Sequence, residues 1–210
     1  MAREKSSSSG SLVELVVILV VAIGLALAVQ AFLVKPFQIP SESMVPTLVV
    51  GQRVLVNRIG ERFREPRIGN VVVFHPPAGA TDDQLGTGAG SMCGQAPAEG
   101  EPCSRPTRGE SEQNFIKRVV AGPGDTVAVV DDHVVLNGKS QPEPFIQPAC
   151  ASGGKQDFPN AIRVPAGHWF VMGDNRRCSQ DSRYWGPVPA ASIIGGAFAT
   201  YWPPRRVGSL

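Results

Sequence analysis

From Leu15 to Val34 the chain is apolar almost without interruption, and only Gln30 is strongly polar. About 20 such residues suffice to cross a bilayer, so the run predicts a transmembrane helix over 12–34. A polar, serine-rich tail over 1–11 precedes it. A cleavable signal peptide is the rival reading, because Arg3 and Lys5 give a charged start and Ala26-Leu27-Ala28 a small-x-small cleavage pattern. The run continues past Ala28 through Val29, Ala31, Phe32, Leu33 and Val34, longer than a signal-peptide core of about 7–15 residues, which favours a retained anchor. Arg3 and Lys5 ahead of the span, against Lys35 behind it, place the tail in the cytoplasm and residues 35–210 outside the plasma membrane.

Beyond Lys35 the pattern changes to short β-like runs bounded by Gly, Pro and Asn. Strands are expected at 53–57, 70–75, 114–121, 126–130, 133–136, 167–172 and 193–202, giving an antiparallel, mainly β body behind one helix. Asp131-Asp132 and Asn137-Gly138 mark tight turns around the fifth run. Residues 76–113 are rich in Gly, Pro, Ala, Ser and charge, and read as a long mobile insertion. A second irregular stretch, 139–160, reads as part of a small satellite lobe.

The chain has 210 residues, enough for one ordinary core, and its 20 basic and 18 acidic residues leave no basic face for nucleic acid. Four cysteines, Cys93, Cys103, Cys150 and Cys178, suit an oxidising exterior and allow three pairings, of which Cys93 with Cys103 is favoured. Neither these nor His75, His133 and His168 have the spacing of zinc ligands, so no metal is expected.

Two polar residues change the picture. Ser43 lies in Pro40-Ser41-Glu42-Ser43-Met44-Val45-Pro46-Thr47, just past the apolar segment, and Lys117 lies in the β-rich run Asn114-Phe115-Ile116-Lys117-Arg118-Val119-Val120-Ala121-Gly122. Strand alternation puts Phe115, Lys117 and Val119 on one face and Arg118 on the other. A serine hydroxyl becomes a strong nucleophile when a base takes its proton, and a lysine can do so when it is neutral, the form that apolar burial favours. Alone, such a lysine would snorkel to water and such a serine would serve a turn. A third polar cluster, Gly173-Asp174-Asn175-Arg176-Arg177-Cys178-Ser179-Gln180-Asp181-Ser182-Arg183, follows an apolar strand and reads as an ordered loop at the rim of the core.

These three blocks, in this order and behind an apolar span, resemble the bacterial type I signal peptidases, membrane-bound serine proteases that remove signal peptides from exported preproteins. The second block, ending Gly122-Pro123-Gly124-Asp125, carries one extra residue. The resemblance implies Ser43 as nucleophile, Lys117 as general base, and an oxyanion hole made by the Ser43 N–H and the Ser41 hydroxyl. It implies that Ser179 orients the lysine and that Asp174, Arg118, Asp181 and Arg183 form supporting ion pairs. Ile39, Met44, Leu48, Val54 and Ile116 would line shallow pockets for small residues, hence cleavage after Ala-x-Ala. No cofactor is implied, and the partners are signal-peptide-bearing preproteins and the lipid bilayer, with the enzyme acting as a monomer.

The chain departs from the family pattern at Gln52, where an acidic residue is usual, and at Arg177-Cys178, where Asp-Asn is usual. Cys178 then invites a disulfide to Cys150. Self-cleaving repressors share a Ser-Lys dyad on a similar fold, but they carry a DNA-binding domain where this chain has its apolar span. A catalytically silent, membrane-tethered β module is the remaining alternative.

Overall fold

The computed structural model describes residues 8–58, 65–80, 93–95, 97, 101–106, 109–146 and 156–210. Helix α1 (Ser8–Phe32) takes in the apolar run as far as Phe32, two residues short of the expected end, and Val34 already belongs to a strand. Among the described residues no helix is long and apolar enough to cross a membrane.

After α1 the body is antiparallel β, as the sequence predicts. The larger sheet runs β1 (Val34–Gln38), β2 (Arg53–Asn57), β11 (Ile193–Trp202), β3 (Val71–Phe74), β4 (Phe115–Ala121), β9 (His168–Met172) and β10 (Val188–Pro189), with β12 (Gly208–Ser209) also paired to β11. The smaller sheet has the order β7 (Lys139–Ser140), β6 (His133–Leu136), β5 (Thr126–Val130) and β8 (Phe158–Arg163). Its hairpins turn at Asp131-Asp132 and Asn137-Gly138, all four with positive φ, the geometry that short polar residues and glycine adopt most cheaply.

Two of the longer strands differ from expectation. Strand β1 is absent from the sequence reading because Pro36 breaks its pattern; at a sheet edge a proline is tolerated. The stretch 139–160 is not wholly irregular: β7 lies in it, and so does the start of β8, which pairs with β5. Pro159 and Asn160 disguise β8, which is again an edge strand.

The described residues of the insertion over 76–113 brace one another and reach the body through Cys103. Pro77 bridges to Glu110, Cys93 to Pro106, and the Cys93–Cys103 disulfide forms as favoured. The Cys103 N–H donates to the Arg183 carbonyl at 3.1 Å, which fastens the insertion to the third polar block. The expectation of a mobile loop over 81–92 lies outside the described residues, as do those for Cys150 and for 147–155. Cys178 is itself disulfide-bonded.

Alternation along β4 divides the core. Phe115 and Val119 join Val72, Phe74, Trp169, Val171 and Trp185 on one face, while Ile116 joins Ile39, Met44, Leu48, Val54 and Val71 on the other. A third cluster, including Val120, Phe170 and Met172 with Val127, Val129 and Phe158, joins the two sheets.

Candidate active site

Ser43 sits in the loop between β1 and β2, which is folded onto itself by backbone bonds. Ile39 N donates to Gln52 O at 2.8 Å, Gly51 N to Ile39 O at 2.9 Å and Leu48 N to Met44 O at 2.9 Å. Met44 and Leu48 anchor the loop from below, both fully buried. Gln52, also buried, takes the Val49 N–H on its Oε1 and donates from Nε2 to Thr200 Oγ1 of β11. A neutral amide can do both at once, whereas a carboxylate could only accept. The departure at this position therefore keeps the loop tied to the sheet.

Lys117 is 1% exposed, and its Nζ lies 2.6 Å from Ser43 Oγ. The side chain leaves β4 on the apolar side, with Nζ 5.6 Å from the centre of the Phe115 ring. Lysine is almost never found this deep unless it is paired. Ser41 Oγ lies 3.2 Å from Ser43 Oγ, so two hydroxyls and one amine converge.

The third block closes the site. Arg118 grips Asp174 with two bonds, Nε to Oδ1 at 2.8 Å and Nη2 to Oδ2 at 2.6 Å, and Thr47 Oγ1 donates to the same carboxylate at 2.5 Å. One buried aspartate thus links the Ser43 loop, β4 and the third block. A second pair, Arg183 with Asp181 at 2.8 Å, is almost fully buried. Burial alone would push the Asp181 carboxyl up; the neighbouring Arg183 guanidinium, its hydrogen bonds, the Gly173 N–H and the Ser179 hydroxyl outweigh this and hold it below the usual carboxylate range. Asp181 also caps helix α2 (Ser182–Trp185) by accepting from the Arg183 N–H.

The predicted positions are therefore together: Ser43, Lys117 and Ser41 in direct contact, and both ion pairs formed. Ser179 Oγ donates to Asp181 Oδ2 at 2.8 Å, so its visible tie is to the carboxylate. The residues expected to line pockets, Ile39, Met44, Leu48, Val54 and Ile116, belong to one apolar cluster. That cluster is closed, with no member of the five more than 7% exposed.

Three contributors escape sequence reasoning. A Cβ on Gly173 would fall onto Ser179 Oγ and within 2.5 Å of the Ser43 carbonyl, so this position has no room for a side chain. Asn175 donates from its backbone N–H to Ser43 O at 3.0 Å and from Nδ2 to Glu42 O at 3.2 Å. Arg176 makes a buried pair with Glu143, Nη2 to Oε1 at 2.6 Å, tying the block to the smaller sheet. Gly173, Asn175 and Arg176 stand inside the motif that the sequence displays, yet their roles depend on carbonyls and a carboxylate that no local pattern reveals.

Residues 12–202 match the model of the family described as signal peptidase, peptidase S26. The chain is 37% identical to a signal peptidase I of Leptolyngbya laminosa over 89% of its own length and 77% of that protein. It is 38% identical to a probable signal peptidase I-1 of Synechocystis, covering 92% of this chain and 84% of the relative. Among solved structures, a signal peptidase I from Enterococcus faecalis V583 is 26% identical, with 63% of this chain and 97% of that one covered, at a TM-score of 0.39, too low to equate the two folds. The buried serine, lysine and ion pairs stand within a sequence match that spans nearly the whole chain, which belongs to the peptidase S26 family of signal peptidases, serine-protease hydrolases.

Proposed function

We propose that this protein removes signal peptides from exported preproteins with Ser43 as nucleophile and Lys117 as general base. The observation that carries the reading is the 2.6 Å approach of a buried amine to a buried hydroxyl. Desolvation disfavours the ammonium ion, and a neutral amine at that distance can accept the serine proton as Oγ attacks the scissile carbonyl. The oxygen that becomes negative is received by the Ser43 N–H and the Ser41 hydroxyl. The proton then passes from Lys117 to the departing amine, leaving an acyl-enzyme. Lys117 next takes a proton from water, whose hydroxide attacks the acyl carbonyl; the ester bond breaks, the signal peptide leaves as the acid, and Lys117 returns its proton to Ser43 Oγ. Ser179, held by Asp181, keeps the lysine in register from the third block.

The apolar cluster beneath Ser43 sets specificity. Its side chains already fill their own space, so only small residues fit at the positions before the cut, which agrees with an Ala-x-Ala preference. A small pocket rejects large residues by collision.

Helix α1 is the membrane anchor, with its tail cytoplasmic and the catalytic body outside. At about 1.5 Å per residue its 25 residues extend about 37 Å, more than the roughly 30 Å of a hydrocarbon core. The large apolar side chains described between Leu12 and Leu27 are exposed, from 51% at Leu19 to 67% at Leu12, a surface suited to lipid. The membrane would hold the enzyme at the surface where the scissile bond emerges.

The decisive experiment is preprotein cleavage in detergent or vesicles by S43A and K117A. Each should fall by at least about 10²- to 10⁴-fold. Cleavage at the parental rate by either variant would refute the dyad.

A further inference from the structure

Asn175 is 3% exposed and holds both peptide planes that flank the Cα of Ser43. Its backbone N–H donates to the Ser43 carbonyl, which belongs to the plane after that Cα, at 3.0 Å. Its Nδ2 donates to the Glu42 carbonyl, which belongs to the plane before it, at 3.2 Å. The amide orientation is fixed by what it meets, since only the nitrogen end can donate to a carbonyl.

A trans peptide is planar, and its C=O and N–H point in opposite directions. Fixing the direction of Glu42 C=O therefore fixes the direction of Ser43 N–H. Among the described residues no acceptor takes that N–H, although Ser43 is only 2% exposed. A donor that is buried, unpaired and held from behind is prepared for an oxygen that arrives with the substrate. A hydrogen bond at the carbonyl end also polarises the peptide and strengthens its N–H as a donor.

We propose that Asn175 is a positioning residue that aims and polarises the Ser43 backbone N–H toward the developing oxyanion; this rests on the dyad reading above. Asn175 is itself well supported. Its carbonyl accepts the Cys178 N–H at 3.0 Å, closing the turn Arg176–Cys178. The next residue, Arg176, is locked to Glu143 and to the Asp132 carbonyl in the smaller sheet. The Asn175 Oδ1, by contrast, is buried without a partner, so only the donor end of the amide makes a bond. The Glu42 carbonyl keeps a second partner, the Val45 N–H at 3.0 Å, so removing the amide does not strand it.

The test uses the detergent-solubilised full chain with an Ala-x-Ala substrate peptide, the corresponding peptide aldehyde and the carboxylate product peptide. For N175A, kcat should fall about 10- to 100-fold with KM changed less than about threefold. Affinity for the aldehyde, which forms a tetrahedral adduct on Ser43, should fall in proportion to kcat, while product affinity stays constant. The melting temperature should move by no more than about 4 °C. N175D keeps the size but sets a carboxylate against the Glu42 carbonyl, and should be at least as slow as N175A. Equal losses of aldehyde and product affinity would overturn the inference, because they mark a general loss of shape. With S43A and K117A inactive in the same assay, cleavage by N175A and N175D within about twofold of the parent would overturn this inference alone. Activity in S43A or K117A would instead overturn the dyad on which it rests.

Discussion

At Gly173 anything larger than a hydrogen atom would collide with the loops that carry Ser43 and Ser179. Its missing Cβ leaves space shared by Ser179 Oγ and the Ser43 carbonyl, both of which belong to packed, hydrogen-bonded loops. G173A should therefore force the two loops apart and lower kcat by about 10²-fold or more, since an ångström of misplacement at a reacting centre costs that much. The comparison of kcat with the melting temperature checks it, with the rate falling further than stability. Asp181 carries a different expectation. Its folded-state pKa is depressed below the reference value of 3.8, so its ionised form contributes stability above that pH and the contribution is lost as the pH falls through the folded value. The sign is fixed by the unfolded chain binding more protons there. D181N should flatten the acid limb of the stability curve followed by tryptophan fluorescence, and should lower stability at neutral pH by leaving Arg183 buried without its partner.

Among the elements, β4 does most to define the site, because one strand presents Lys117 to Ser43 and Arg118 to Asp174 from opposite faces. The pleat makes this possible, and Phe115 and Val119 hold the lysine side in the core. The link between the turn Arg176–Cys178 and the smaller sheet is the other structural joint. Glu143 takes two bonds from Arg176 and one from the Val134 N–H, all buried. Removing one member of a buried pair leaves an uncompensated charge, so E143A should cost about 3–5 kcal/mol in urea unfolding. The double replacement R176M with E143L should recover much of that loss. Parental stability in E143A would show that the joint contributes little.

For the whole molecule, the proposed anchoring by α1 is tested apart from the proposed chemistry. Washing membranes with alkaline carbonate should leave the full-length protein in the pellet, and a soluble form beginning after Ala28 would mean that α1 is removed as a signal peptide. The alternation of apolar and polar residues was enough to indicate an antiparallel β body, because side chains on a strand must choose a face, and local turn chemistry placed both hairpins of the smaller sheet. Ser43, Lys117 and the two Arg–Asp pairs were singled out by motif order and the resemblance it carries, and the structure brings their side chains within bonding distance. Edge strands β1 and β8 were hidden by prolines that only their place at an edge makes acceptable. The packing of Gly173 against a carbonyl, the grip of Asn175 on the peptide planes of Ser43 and the Arg176–Glu143 pair were settled by folding alone. Local patterning reflects what a residue prefers within a few neighbours, whereas these contacts join groups 33 to 133 positions apart, and only the closed sheets bring them within bonding distance.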